Sequence, residues 1–230
     1  MDSVYDRTEM LIGPDRLDRL KNSGVIVFGL GGVGGFAVEA LARTGVGRIG
    51  IVDYDVVDVT NINRQIIALG STVGKYKTDV FTGRISDINS EIRVDAYKKK
   101  LLPENAGDFS LNEYDYIVDA IDDVASKVAL IEKAKALGVP VISSMGTGNK
   151  IEPSMFKICD ISVTHTCPLA KRMRKELSIR GIEGVKVLFS DEPARKFEGS
   201  AGCPASIAFV PAAAGLLIAG EVIKNLMSDV

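Results

Sequence analysis

The sequence contains no tryptophan, one histidine and three cysteines among its 230 residues. The cysteines, Cys159, Cys167 and Cys203, are widely spaced and form no C-x-x-C pair. A disulfide scaffold is therefore excluded, and we expect a reduced, intracellular protein. The single histidine, His165, cannot supply a histidine-rich metal site, so we expect it to be structural. The few aromatic residues offer little for nucleic-acid bases to stack on.

The sequence also lacks a strong charge bias and a long hydrophobic run. Its formal net charge is −2, so nucleic acid would have to be bound by a local basic patch. The amino-terminal residues show no secretory signal. The apolar segment 205–219 contains Ser206 and Pro211 and is shorter than the ~20 residues that span a bilayer. It predicts a buried C-terminal helix, no stable membrane insertion and a cytoplasmic protein.

A glycine-rich turn follows the first apolar segment. Residues 25–28 form a short, mostly β-branched run typical of a buried parallel strand, and Gly29, Gly31 and Gly34 then complete a G-x-G-x-x-G pattern. Apolar residues at helical spacing predict a helix after the turn. Such glycines let a phosphate approach backbone N–H groups at the start of a helix, so the pattern indicates nucleotide binding. A second strand, Arg48–Val52, leads to Asp53, where a carboxylate is suited to ribose hydroxyls.

The polar residues after Asp53 decide between two nucleotides. An NAD-dependent oxidoreductase would need no donors there, whereas a triphosphate requires several for its β- and γ-phosphates. Such residues follow within a dozen positions: Asn61, Asn63, Arg64 and Gln65. The pattern favours ATP, with the NAD enzyme as an alternative.

Strands and helices alternate along most of the chain, which predicts an α/β fold: a Rossmann-like, doubly wound, mainly parallel sheet with helices on both faces. The predicted strand 114–120 ends at Asp122 and Asp123, on the edge where such sheets bind ligands. We assign Asp122 to Mg²⁺ bound with ATP and Asp123 to the cap of the helix Val124–Leu137. Lys75 and Lys77 open a predicted helix, where a cation either faces solvent or meets a phosphate.

Four segments together resemble the ubiquitin-activating-enzyme superfamily, whose members adenylate carboxylates: GLGGVG, VDYDVVDVTNINRQ, VGKYK and DAIDD. Within that superfamily the chain most closely resembles the tRNA threonylcarbamoyladenosine dehydratases. The resemblance implies ATP-dependent cyclising dehydration of a tRNA nucleoside through an acyl adenylate. It implies catalytic residues Arg64, Lys77, Asp122 and, from a partner subunit, Arg7. The implied ATP-binding residues are Gly29, Gly31, Gly32, Gly34, Asp53, Asp55, Asn61, Arg64, Lys77 and Asp122.

An alternative within the same superfamily is activation of a sulfur-carrier or ubiquitin-like protein. Those adenylyltransferases usually hold zinc in paired C-x-x-C motifs, which need four ligands. This sequence has no such pair, so no zinc is expected. A dehydratase is therefore favoured over an enzyme that acts with a sulfur-transfer or carrier-protein partner.

The segment THTCPLAKRMRK matches the dehydratases and contains two candidate features, a cysteine and a group of basic residues. We disfavour Cys167 as a nucleophile, because cyclisation of an activated carboxylate needs none. The basic residues of the following helix are either a solvated face or a contact to tRNA phosphates together with 98–100. They are Lys171, Arg172, Arg174 and Lys175.

We expect one domain over residues 1–230: an N-terminal helical segment 1–24, a nucleotide-binding core 25–150, and a substrate and dimer portion 151–230. The apolar stretch 207–227 offers more surface than one sheet face covers. With the implied role of Arg7, it predicts a homodimer.

Overall fold

The computed structural model describes residues 3–195 and 204–228, so Cys203 lies outside the described residues. Its helices are α1 (Asp6–Ile12), α2 (Pro14–Lys21), α3 (Gly34–Thr44), α4 (Lys77–Ile88), α5 (Val124–Leu137), α6 (Pro168–Ile179) and α7 (Phe209–Met227). Its strands are β1 (Gly24–Phe28), β2 (Arg48–Val52), β3 (Arg93–Tyr97), β4 (Tyr116–Asp119), β5 (Val141–Ser144), β6 (Phe156–Asp160) and β7 (Lys186–Ser190).

The strands form one seven-stranded sheet in the order β3-β2-β1-β4-β5-β7-β6. Every neighbouring pair is parallel except β6 and β7. The strand order reverses direction between β1 and β4, so their carboxyl ends open a crevice at the edge where doubly wound sheets bind ligands. The predicted α/β fold is confirmed.

Each face of the sheet is covered by its own hydrophobic core. On one face, alternate β1 residues Val25 and Val27 pack with α3, α4 and α7. On the other, Ile26 and Phe28 pack with α5 and α6. This alternation follows from the two-residue period of a strand, and it explains why β1 is apolar throughout.

The helix boundaries show where local sequence is decisive. Helices α3 and α5 end at Gly45 and Gly138, both in the left-handed conformation that glycine adopts without strain. Helix α4 begins at Lys77, so Lys75 precedes the helix instead of opening it as predicted. The preceding residues are held instead by pairing of Val57 with the backbone of Gly74 and Lys75. Helices α1 and α2 both lie within the N-terminal segment 1–24 that was predicted as helical.

Helix α7 packs against α3, and Gly215 makes this approach close: a Cβ there would lie 2.2 Å from the Val33 carbonyl oxygen. By length and composition alone the helix could cross a membrane. Its buried face, which includes Ala214, Ile218 and Val222, belongs to the core. The apolar character of α7 is therefore no evidence of membrane insertion.

Candidate functional site

A cavity of about 700 Å³ opens at the carboxyl edge of β1, β2, β4 and β5. The residues that line it come from the glycine turn, the segment 52–65, the loops after β3, β4 and β5, the first turns of α4, α5, α6 and α7, and residues 204 and 206. Every residue predicted to bind ATP contributes to its wall except Gly34, which lies behind the turn. Residues far apart in sequence therefore converge on one cavity.

The glycine turn requires glycine for two different reasons. A Cβ at Gly34 would lie 1.8 Å from the Gly29 carbonyl oxygen, which is inside any contact distance. Gly29 has φ +85° and approaches the Ala120 carbonyl. No side chain caps α3 at Val33 in the described chain. The Gly35 N–H donates to the Gly31 carbonyl oxygen at 3.0 Å, and the other N–H groups of the first turn remain available to an anion in the cavity.

Asp53 accepts hydrogen bonds from the backbone of two segments, the glycine turn and the residues after β2. Its Oδ2 accepts a hydrogen bond from the Leu30 N–H at 2.7 Å, and its Oδ1 accepts one from the Asp55 N–H at 2.8 Å. The buried carboxylate thus fixes the glycine turn against the end of β2. The sequence did not predict this contact. Each oxygen keeps a second lone pair for another donor.

Lys77 is the cation closest to these acids. It is 5% exposed, and its Nζ lies 3.0 Å from Asp55 Oδ2 and 3.7 Å from Asp53 Oδ2. As the first residue of α4 it turns its side chain into the cavity wall, whereas Lys75 precedes the helix and does not line the cavity. Lys77 therefore has both the charge and the position to meet a phosphate.

Arg64 lies in a turn that begins with a cap: Asp58 Oδ1 accepts from the Thr60 N–H at 2.8 Å. The Arg64 Nη1 donates to the Thr60 carbonyl oxygen at 2.8 Å and to Asn63 Oδ1 at 3.0 Å. Only one guanidinium nitrogen is used by these bonds, so the others can donate to a ligand. Asn61 lines the same wall.

The two acids after β4 have different surroundings. The Asp123 Oδ2 accepts from the Ser126 N–H and Oγ, each at 2.8 Å, and these bonds lower the pKa of its carboxyl. Asp123 as the cap of α5 is thereby confirmed. Asp122 lines the cavity, and within the described chain its exposed carboxylate has no hydrogen bond or ion pair. No cluster of three metal-binding side chains occurs among the described residues.

Two lysines of the cavity wall, Lys99 and Lys100, were predicted either as a solvated basic run or as a contact to tRNA phosphates, and not as part of the nucleotide site. Lys100 Nζ lies 5.4 Å above the Tyr54 ring, and Lys99 Nζ lies 3.7 Å from Asp108. Both follow β3 at the carboxyl edge of the sheet. That position was the signal by which the sequence could have placed them in the site.

Three groups of candidate residues lie outside the cavity wall. Arg7 is exposed on α1. Cys167 is buried at the start of α6. On α6 itself Lys171, Arg172 and Lys175 are exposed, whereas Arg174 donates to the Thr164 carbonyl oxygen at 2.7 Å. His165, which was expected to be structural, packs its ring edge-on against the Phe189 ring, and its Nε2 lies 3.2 Å from Asp191 Oδ1.

Comparison with known proteins places this geometry in a recognised group. The ThiF family profile matches residues 5–229. The tRNA threonylcarbamoyladenosine dehydratase of Bacillus subtilis is 46% identical over 242 aligned residues, which cover 98% of this chain and 95% of the relative.

Solved structures of a dehydratase with the same name are also similar to this chain. The E. coli tRNA N6-threonylcarbamoyladenosine dehydratase in complex with ATP superposes with a TM-score of 0.90 at 35% identity, covering 97% of this chain and 93% of that one. The same enzyme in complex with AMP also gives 0.90 at 35% identity, over 96% and 93% of the two chains.

Proposed function

The chain belongs to the ThiF family, and from this premise we propose that it is an ATP-dependent tRNA threonylcarbamoyladenosine dehydratase. The observation that carries the proposal is one cavity that unites a glycine turn, the cations Arg64 and Lys77, and the unpaired carboxylate of Asp122. Homologues that match nearly the whole chain bear this name, and the similar E. coli enzyme binds ATP and AMP.

The reaction removes one water from the substrate at the expense of ATP. A carboxylate oxygen of the threonylcarbamoyl group attacks the α-phosphorus, and the bond to pyrophosphate breaks. An atom of the carbamoyl group then attacks the activated carbonyl carbon, and AMP leaves with the former carboxylate oxygen. Because the attack is intramolecular it has a high effective molarity, so the protein needs to supply positioning and charge stabilisation rather than a nucleophile.

Arg64 and Lys77 stabilise the negative charge that develops on pyrophosphate as its bond to the α-phosphorus breaks. Arg64 keeps guanidinium donors for a fork-like contact to phosphate oxygens, and Lys77 offers a point charge from a buried position. The first N–H groups of α3 face the same phosphates. Asp53 uses its remaining lone pairs for the ribose, while Asp55 and Asn61 complete that wall of the nucleotide site.

The cavity is suited to Mg²⁺ bound with the nucleotide. Such an ion usually takes one or two carboxylates and completes its shell with phosphate oxygens and water. Asp122 provides one carboxylate at the cavity wall that no neighbour in the described chain occupies. When bound, Mg²⁺ neutralises triphosphate charge. The task of Asp122 is to hold it at the edge of β4.

We place Arg7 in a homodimer, with its guanidinium reaching the partner's site. Arg7 is exposed on α1 and does not line the cavity of its own chain. Apolar side chains left exposed at the start and middle of α7 offer a surface for the second copy: Phe209 at 48%, Leu216 at 50% and Leu217 at 43%. Such a patch on one helix favours a protein interface.

The tRNA surface proposed here is the exposed face of α6. The side chains of Lys171, Arg172 and Lys175 make no hydrogen bond or ion pair to the described part of the chain. Leu169, one turn earlier, lines the cavity, so the face begins beside the site. Cations there position a phosphate backbone without reading its sequence. A tRNA substrate also accords with a cytoplasmic location.

Substrate-dependent exchange of labelled pyrophosphate into ATP tests this function, because exchange reports the adenylation step itself. We expect exchange with tRNA that carries threonylcarbamoyladenosine and none with small sulfur-carrier proteins. Arg64→Ala should lower the rate about 100-fold or more, as expected for loss of a transition-state donor, with an unchanged fold. Exchange with carrier proteins alone would assign the enzyme to the other branch of the superfamily.

A further inference from the structure

Three polar side chains meet beneath the floor of the cavity and are completely buried. The Asp119 Oδ2 accepts hydrogen bonds from Lys127 Nζ at 2.9 Å and from Ser143 Oγ at 2.6 Å. Lys127 Nζ also lies 3.2 Å from Ser143 Oγ. All three residues are 0% exposed, and none of them lines the cavity. We call these residues the buried cluster.

The buried cluster joins the elements from which the cavity floor emerges. Asp119 ends β4 and stands opposite Ser143 on β5, while Lys127 belongs to the first turns of α5. The second oxygen of Asp119, Oδ1, accepts a hydrogen bond from the Ile121 N–H at 3.1 Å. The turn 120–123, which carries Asp122, is therefore tied to the cluster from below.

Stability alone is a weak reason for such an arrangement. Removing two charges from water is costly, and apolar residues of similar volume often serve a core equally well or better. Apolar residues, however, cannot accept a hydrogen bond from the Ile121 N–H, and they therefore cannot fix the position of the turn relative to β4. The hydrogen bonds thus point to a requirement for accurate placement of the turn.

We propose that Asp119, Lys127 and Ser143 are positioning residues that fix the turn 120–123, so that the Asp122 carboxylate faces the bound nucleotide. This inference rests on the proposed function, because it assumes the Mg²⁺ contact of Asp122. Outer partners of metal ligands commonly affect metal affinity about 10- to 100-fold. The cluster acts through the backbone of the turn and touches neither nucleotide nor substrate.

The test measures binding rather than turnover. Affinity for a non-hydrolysable ATP analogue is determined by calorimetry in Mg²⁺ and again in EDTA, and the ratio gives the Mg²⁺ enhancement. Asp119→Leu combined with Lys127→Met removes both charges together, which avoids an unpaired buried charge, and also removes the oxygen that accepts the Ile121 N–H. We expect affinity in EDTA to stay within about twofold and the enhancement to fall about tenfold. Ser143→Ala, which removes one hydrogen bond, should lower the enhancement less.

Two further variants separate the possible failures. Asp95→Asn is the matched structural control: its carboxylate binds Arg48 at 2.6 Å and the Tyr114 hydroxyl at 2.8 Å, away from the cavity. It should leave the Mg²⁺ enhancement unchanged. Asp122→Asn should abolish the enhancement, and if it does not, the proposed metal contact fails.

The positioning role would be overturned if Asp122→Asn loses the Mg²⁺ enhancement while the folded double variant keeps it in full. Should the double variant fail to fold by circular dichroism, Ser143→Ala decides, and an unchanged enhancement there overturns the inference. Hydrogen exchange gives independent support: the Ile121 amide should exchange faster in the cluster variants and at the normal rate in Asp95→Asn.

Discussion

Two glycines of the same turn are expected to fail in different ways when each is replaced by alanine. At Gly34 a Cβ would meet the Gly29 carbonyl oxygen at 1.8 Å, and Gly29 is itself held by a hydrogen bond from its N–H to the Val52 carbonyl at 2.9 Å. At Gly31 the nearest atom to a Cβ is the Gln65 side-chain nitrogen at 3.9 Å, and Gly31 lines the cavity. Gly34→Ala should therefore damage the fold, and Gly31→Ala the binding of ATP.

The magnitudes follow from these contacts. Overpacking costs about 1–3 kcal/mol and more when the backbone cannot yield, so Gly34→Ala should lower the unfolding free energy by about 3 kcal/mol. In a chain of this size that corresponds to a Tm lower by roughly 6–12 °C. Gly31→Ala should shift Tm little, because its backbone does not have positive φ. Its methyl group occupies space needed for phosphate approach, so ATP affinity should fall about tenfold or more.

Thermal unfolding followed by circular dichroism and titration calorimetry with ATP measure the two effects on the same samples. The reasoning is refuted if Gly34→Ala unfolds within about 2 °C of wild type. It is also refuted if Gly31→Ala binds ATP normally. A Gly31→Ala protein that is strongly destabilised would show that the turn is packed more tightly than the structure indicates.

Three further predictions concern acids and arginines. Asp122→Asn should abolish Mg²⁺-dependent ATP use with normal Tm, whereas Asp123→Asn should lower stability by at most about 1 kcal/mol and keep activity; equal activity losses would reverse the assignment. The pKa of Asp123 is lower in the folded protein than its usual value of 3.8, so its ionised carboxylate stabilises the fold at pH values above 3.8 and this contribution is lost at lower pH. The Tm difference between wild type and Asp123→Asn should therefore shrink as the pH falls below 3.8. A constant difference would contradict this. Inactive Arg7→Ala and Arg64→Ala proteins, mixed and allowed to exchange subunits, should regain part of the activity, and no recovery despite exchange would remove Arg7 from the site.

Local pattern was sufficient for much of the fold. Helix α5 occupies the predicted residues, because Asp123 caps its start and Gly138 ends it. Strand β2 also occupies its predicted residues, as an apolar run that ends at a carboxylate. The late start of α4 was not predictable, since it depends on pairing of Val57 with residues 74 and 75.

The site was predicted in part for the same reason. The residues of the glycine turn carry a recognisable pattern, and family resemblance placed Arg64, Lys77 and Asp122 in the same cavity. Contacts between distant segments were missed. The Asp53 bond to Leu30 spans 23 positions, and the buried Asp119–Ser143 bond spans 24. No local periodicity records which residues meet when the strands align.

The central claim is tested most directly by the nucleoside product. Purified protein is incubated with ATP, Mg²⁺ and tRNA that carries threonylcarbamoyladenosine, and the digested tRNA is analysed by mass spectrometry. The account predicts a nucleoside lighter by one water, formed with AMP and pyrophosphate, and absent when ATP is omitted or when Arg64→Ala replaces the wild type. An unchanged nucleoside, from protein that binds ATP and the tRNA, would contradict it.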